Sequence, residues 1–510
     1  MFYVRTRTVT LACCLWTLSA AASDFETIGL TALRNMVPSL TGTGVVVAIP
    51  EAGAPTWEVN PAVVVQSESL FTWRASAGTA SSYPNSLGSE SWHGNEVAKP
   101  FFGLTNGVAP GVAHVDNYDA SYFFNSLVRQ GTAVPAKVVN QSFIFGAEIP
   151  EIDADYDDYV AQHGTMFLNG AGNGGAVSSP ATAYNVIAVG AYGGSSSSGP
   201  TLDGRCKPDI TAPASLTSFS TPLVAGTAAV LFQGGARGDG GTGTATAATD
   251  ARTIKALLLN GATKPPGWTN VAIKPLDLRY GAGVLHAWNS YRQLRGGQHA
   301  PVVTQTISTG GAHPPASNTN NLPTRRGWDF RTVTHLLTLD LVNHYFFDLS
   351  GAAGRTFTAT LTWHRQQNQL SINNLDLFLY DAATGTLVAS SESVVDNVEH
   401  LYVTGLPAGR YNLQVLKRGG LTMVSGSETY ALAFEFGPSA VPSIVNEQVA
   451  GGQWTAMVSG EPNQNYAVQF SSDFVGWSAV VTNKTGAGGS FQFTNSAASS
   501  RRFYRVVELP

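Results

Sequence analysis

The sequence predicts an α/β domain built on a parallel sheet and followed by two all-β modules. Three observations carry that expectation. Between residues 45 and 192, short apolar runs alternate with polar, Gly-rich and helix-like segments, and each run is continuous, as strands covered on both faces are. From about residue 298, strand-length runs recur with Pro, Gly and Asn between them and no helical pattern. Finally, the 510 residues are 43% hydrophobic and 12% charged, against a usual charged share of about 25%. A chain of this kind can bury large cores and covers its surface with Ser, Thr, Asn, Gln and Gly.

In order along the chain, residues 1–22 read as a secretory signal. Arg5 and Arg7 supply a positive start, Val9 to Leu18 an apolar run, and Ala20-Ala21-Ala22 a small-residue cleavage site. The expected location is therefore secreted or cell-surface. With Cys13 and Cys14 removed, Cys206 alone remains, so the mature monomer closes no internal disulfide. Residues 23–297 form the expected α/β domain, with strands at Val45–Ile49, Val112–Val115, Ala136–Asn140, Met166–Leu168 and Val186–Val189. A helix is predicted from Pro222 to Leu231, with the proline in its first turn, and another over Arg252–Leu259, whose Ile254, Leu257 and Leu258 share a face. Between them, Gly234–Ala248 reads as a surface loop. Residues 298–437 form the first β module, a sandwich of jelly-roll type, with strands at Val333–Leu339, Thr356–Thr362, Asp376–Tyr380, His400–Val403, Arg410–Leu416 and Thr429–Phe434. A linker from Gly437 to Pro442 leads to the second module, 438–510, with strands at Tyr466–Phe470, Ser490–Thr494 and Phe503–Val507.

A net charge of −5 without a basic block argues against nucleic acid as a partner. No run of about 18 apolar residues follows residue 25, so no membrane span is predicted.

Four segments of the α/β domain carry candidate chemistry, each just past a strand or at a helix start, where such folds place functional groups. They are Val45-Val46-Val47-Ala48-Ile49-Pro50-Glu51, Ser91-Trp92-His93-Gly94-Asn95, Phe167-Leu168-Asn169-Gly170-Ala171-Gly172-Asn173-Gly174-Gly175, and Thr217-Ser218-Phe219-Ser220-Thr221-Pro222. Together, in the order acid, histidine, asparagine, serine, they resemble the subtilisin-like serine peptidases, the subtilases. Framework pieces in the same order add to the likeness: Gly107-Val108-Ala109-Pro110, Val139-Asn140-Gln141-Ser142, Asn185-Val186-Ile187-Ala188-Val189-Gly190, Lys207-Pro208-Asp209 and Tyr280-Gly281-Ala282-Gly283. The resemblance covers roughly residues 27–295.

The resemblance implies a secreted serine endopeptidase acting on protein or peptide. Ser218 is the candidate nucleophile, His93 its general base, Glu51 the acid that holds the imidazole, and Asn173 an oxyanion donor. Val139–Phe143, with Ser142 and Phe143 at its tip, is expected to edge the substrate cleft and pair with an extended peptide. Each residue also has a plainer reading: Ser218 as a helix cap, His93 as a surface histidine, Asn173 as a turn residue. Cys206 lies between Arg205 and Lys207, cations expected to lower its pKa, and Asp203 and Asp209 read as turn residues. The chemistry requires no cofactor.

This sequence also departs from the family. Glu51 stands where subtilases carry Asp, and the extra methylene moves the carboxylate about 1.5 Å outward. Replacing Glu51 by Asp is on that basis expected to keep or raise activity. Leu216 takes the place of a glycine and is expected to crowd the turn before Ser218. Pro100 is expected to shorten the helix after His93. The first β module resembles a sandwich that follows the catalytic domain in larger subtilases, which implies calcium as a structural ion, with Asp376, Asp396 and Glu399 as candidate ligands. The competing reading is a catalytically inactive subtilase-like shell that works as a binding or adhesion protein through its β modules.

Overall fold

The computed structural model describes residues 23–241, 245–349, 355–437, 442–460, 464–473, 476–486, 489–496 and 502–509. The expected signal at 1–22 and residues 438–441 of the expected linker lie outside the described residues.

An eight-stranded sheet organises the first half of the chain. Its spatial order is Ile210–Pro213, Ile187–Tyr192, Met166–Gly170, Val138–Gln141, Val46–Glu51, His114–Asp119, Phe71–Ala75 and Gly78–Ala80. Every pairing is parallel except the last, a hairpin. All five expected strands are present. Their residues alternate between two cores, as a period of two requires. Val47, Ile49, Val138, Met166 and Leu168 face one core, and Ala48, Val139 and Phe167 face the other.

The first core is closed by helices Trp92–Phe102, Thr217–Ala236 and Ala251–Gly261, which contribute Val97, Phe101, Val224, Val230 and Leu257. The second is closed by Pro150–His163 through Ile152, Tyr156 and Val160. That helix was not anticipated. Its Pro150 occupies the first turn, and Gly164 ends it in the left-handed region at φ 66°.

Three local expectations need correction. The helix carrying Ser218 begins at Thr217, so Pro222 sits inside it, and it runs to Ala236, taking the first three residues of the segment read as loop. Burial on nearly every side overrides the weak helix propensity of Gly234 and Gly235, and a short helix, Ala245–Ala248, follows. Pro100 does not end its helix, which continues to Phe102. Val333–Leu339 is no single strand: Arg326–Thr334 ends, a turn intervenes, and Leu339–Asp348 begins.

Beyond the α/β region, two antiparallel sheets of five and four strands share one core, in which Tyr345, Leu377 and Leu413 of the first meet Phe357, Leu361 and Leu432 of the second. The four-stranded sheet lies against helix Ala251–Gly261, where Thr358 and Thr360 donate to the Asn260 Oδ1 at 2.9 and 3.0 Å. Arg365, 3% exposed, pairs with Asp157 at 3.0 Å and ties the same module to helix Pro150–His163. Two three-stranded sheets complete the chain around Trp454, Tyr466 and Phe493. Glu508 of the last strand ion-pairs with Arg292 at 3.3 Å and with Arg326. Among the described residues, no helix is long and apolar enough to cross a membrane.

Candidate active site

The candidate residues gather at the carboxyl ends of the central strands. Glu51 closes strand Val46–Glu51 and is 3% exposed. His93 sits in the first turn of helix Trp92–Phe102, whose cap Ser91 accepts the Gly94 N–H at 2.9 Å. The two meet through Nδ1 of His93 and Oε1 of Glu51 at 2.7 Å. Gly94 lies beside the acid: a β-carbon there would sit 3.4 Å from Cγ of Glu51, an ordinary contact. The hydrogen bond to Glu51 raises the His93 pKa above its ordinary value, against the opposing pull of burial. Burial raises the Glu51 carboxyl, with His93 pulling the other way. With Nδ1 engaged by Glu51, Nε2 is left for chemistry.

Because the carboxylate is already in contact with the imidazole, the longer side chain is accommodated, and the shorter acid of Glu51→Asp would fall short. With the backbone unchanged, this geometry argues that Glu51→Asp lowers activity, where the sequence alone leads to the expectation that it keeps or raises it. Leu216 is also relieved of its expected crowding. Its backbone is extended, φ −138° and ψ 155°, which any residue adopts.

Ser218 is the second residue of its helix. Residues this close to a helix start have no intrahelical acceptor for their N–H, so the amide of Ser218 is an available donor. Its Oγ donates to the carbonyl of Ser142 at 3.4 Å, a long contact, and no hydrogen bond joins it to His93. The neighbouring Phe219 ring lies 6.1 Å from the imidazole centroid, so the two segments adjoin.

Asn173 projects from a turn whose flanking Gly172 and Gly174 take φ values of 105° and 152°. Those glycines absorb the left-handed geometry, and Asn173 itself does not. Its Oδ1 accepts both the N–H and the hydroxyl of Thr217, at 2.8 and 2.9 Å. With its oxygen held there, the exposed Asn173 keeps Nδ2 as its side-chain donor.

Glu51, His93, Ser142 and Phe143 line one open cleft of about 530 Å³, together with Ala52, Thr56, Glu90, Ser91 and Trp92. The expected edge Val139–Phe143 shortens at its start. Val139 is paired on both sides, with Ala48 and Phe167, and Asn140 and Gln141 are fully buried beside Leu168 and Asn169, so an added strand has access only from Ser142 onward. Trp92 is 71% exposed in this cleft, and sequence reasoning did not single it out. Thr217, which orients Asn173, was likewise missed. Its only sequence signal was adjacency to Ser218.

Other candidates fall outside the site. Cys206 is 2% exposed, and burial, reinforced by Asp396, pushes its thiol up to about 12, opposite to the expected lowering. Asp209 is no turn residue. It is 2% exposed between Lys207 at 2.7 Å and Lys255 at 3.2 Å and accepts the Ala188 N–H. Asp203 does serve its local turn, through Thr201 and Arg205. The three candidate calcium ligands have protein partners: Asp376 has Arg418, Asp396 has the Cys206 N–H and Ser393, and Glu399 has Ser391 and the Ser393 N–H. Among the described residues, no group of three or more His, Cys, Asp or Glu side chains is arranged to hold a metal ion.

No curated protein matches the chain. Among solved structures, tripeptidyl peptidase 2 (TPP II) is similar at 12% identity with a TM-score of 0.32, over 83% of this chain and 52% of that one. The chain thus spans about half the length of that structure. A beta-1,2-glucanase from Parabacteroides distasonis is similar at 12% identity and a TM-score of 0.18, over 40% of this chain and 34% of that one. Similarities at these scores carry no argument about fold or activity. The sequence itself matches the family described as "Subtilase family" over residues 42–283. That span begins just before the strand of Glu51, ends beyond the helix of Ser218, and takes in the whole eight-stranded sheet. Residues 42–283 therefore form a domain of the subtilase family, the subtilisin-like serine peptidases.

Proposed function

We propose that the protein is an exported serine endopeptidase in which Ser218, His93 and Glu51 act as one proton-handling unit. The observation that carries this reading is the 2.7 Å contact between His93 Nδ1 and Glu51 Oε1 inside a subtilase-family domain. A buried acid fixing one imidazole nitrogen leaves the other as a base for a neighbouring hydroxyl. In the acylation step, the Ser218 Oγ–H proton moves to His93 Nε2 as Oγ bonds the substrate carbonyl carbon. The oxyanion that forms is met by the Ser218 N–H and the Asn173 Nδ2, and the helix start adds its favourable field. The C–N bond then breaks, with the His93 proton passing to the leaving amine. Water repeats the sequence on the acyl-enzyme, freeing Ser218.

Ser218 Oγ rests on Ser142 rather than His93, so the reading requires the hydroxyl to turn from Ser142 to His93 Nε2, by rotation between staggered wells, when substrate binds. Catalytic hydrogen bonds are often long before substrate arrives. The same observation favours the second reading, a shell that binds through its β modules without turnover. Incubation with an unfolded protein substrate separates the two. The peptidase reading expects cleavage that disappears in Ser218→Ala. A folded wild-type protein that leaves the substrate intact supports the binding reading.

A further inference from the structure

We propose that Ser142 is a positioning residue for Ser218, supplying the hydrogen bond that Pro222 withholds from the nucleophile's own carbonyl. The inference rests on the catalytic reading above and adds a role for Ser142 beyond lining the cleft.

In an α-helix the carbonyl of residue i takes the N–H of residue i+4. For Ser218 that residue is Pro222, which lies inside the helix and has no N–H. A carbonyl left without a donor in this half-buried setting loses a hydrogen bond that the rest of the helix makes. The donor comes from another element. Ser142, just past strand Val138–Gln141 and 8% exposed, donates its hydroxyl to the Ser218 carbonyl at 2.9 Å. Its one proton is committed to that direction, because the fully buried Asn140 donates Nδ2 into the same oxygen at 3.1 Å.

The preceding carbonyl shows the contrast. Thr217 O is served from its own helix by the hydroxyls of Thr221 at 2.6 Å and Ser220 at 3.1 Å. The Ser218 carbonyl is therefore tied across to the sheet, by a relay from Asn140 through Ser142. This tie sets where the first turn of the helix stands relative to the strand ends, and so relative to His93 on its own helix. Displacing a reacting group by about 1 Å can cost about 100-fold in rate, so a tie of this kind acts on catalysis without touching substrate.

The test is a double-mutant cycle on the full chain, with Ser142→Ala, Pro222→Ala and the pair. Pro222→Ala restores an N–H to the Ser218 carbonyl, and so makes the Ser142 hydroxyl dispensable. Two readouts are used: the limiting rate and half-saturating concentration of labelling by a fluorophosphonate, and the urea midpoint of unfolding. With Pro222 in place, Ser142→Ala is expected to slow the limiting rate about tenfold or more with little change in half-saturation. In the Pro222→Ala background, the same change is expected to alter the rate less than about twofold, with the midpoints non-additive in the same sense. A merely structural Ser142 would show no such rescue, since removing the proline ring adds a second defect. Equal effects of Ser142→Ala in both backgrounds, in a protein that is labelled, overturn the positioning role alone. A folded wild-type protein that takes no label overturns the catalytic reading, and the positioning role with it.

Discussion

Shortening Glu51 by one methylene is the perturbation whose size the structure fixes best. In Glu51→Asp, with the backbone unchanged, the carboxylate retracts by about 1.5 Å. The present 2.7 Å contact to His93 Nδ1 then opens to about 4.2 Å, past the reach of an N–H···O hydrogen bond. Gly94 packs against the Glu51 side chain, so the vacated space lies beside a residue with no side chain to fill it. A hydrogen bond to a charged group contributes about 1.5–3 kcal/mol, so labelling of the active-site serine is expected to slow by about 10- to 150-fold. The assay is the second-order rate of fluorophosphonate labelling, with circular dichroism as the check that the variant is folded. A folded Glu51→Asp protein labelled within about threefold of wild type would refute the reasoning. It would mean that the strand end moves to follow the shorter acid, as the sequence alone suggested.

Four further outcomes follow from the same geometry. Glu51 raises the His93 pKa, and the neutral imidazole is the working base, so the wild-type labelling rate should climb with pH through a midpoint above about 6.5. Glu51→Gln should move that midpoint to lower pH, and an unmoved or raised midpoint contradicts the pairing. Asn173→Asp keeps the acceptor for Thr217 but loses the Nδ2 donor. It should therefore keep its urea midpoint while turnover falls by about 2.7–4 kcal/mol in barrier, about 10²–10³-fold. Cys206, buried with its thiol pushed up to about 12, should resist iodoacetamide at pH 8 until urea unfolds the chain, as peptide mass mapping would report. Asp209→Asn strips two buried lysines of their shared carboxylate and should cost about 3–5 kcal/mol of stability in urea unfolding. Burial alone would raise the Asp209 pKa, but Lys207 and Lys255 outweigh it and hold the carboxyl below its ordinary value. Its contribution to stability is therefore present above the unfolded carboxylate pKa and lost as the pH falls through the lower, folded value. Wild type should lose midpoint on acidification by more than Asp209→Asn does.

Short continuous apolar runs identified the five core strands, because a strand covered on both faces is mostly apolar on both, and buried polar residues such as Asp116, Asn140 and Asn169 interrupt the runs at only a few positions. The hairpin strands Phe71–Ala75 and Gly78–Ala80 escaped that pattern, since Thr72, Arg74 and Thr79 break it. Helix Pro150–His163 was hidden by its acids Glu151, Asp153, Asp155, Asp157 and Asp158, which blur a face that nonetheless buries Ile152, Tyr156 and Val160. At the site, residue types in order nominated Glu51, His93, Asn173 and Ser218, of which the structure joins Glu51 to His93. The tertiary consequences were not legible. Gly94 beside Glu51 and the extended backbone at Leu216 decide how substitutions at those places are tolerated, and neither is encoded in a local pattern. The proline at 222 was misplaced at a helix start because the sequence rule for proline favours the first turn. Its interior position became intelligible only once Ser142 was seen on the Ser218 carbonyl.

The central claim is that one hydroxyl among many is activated by the paired imidazole and carboxylate. Mass-spectrometric location of a fluorophosphonate adduct on the folded, full-length protein tests it most directly. The account predicts a single adduct on the peptide bearing Ser218, absent when His93 is replaced by Ala. An unlabelled folded protein, or an adduct on another serine that survives loss of His93, would contradict it.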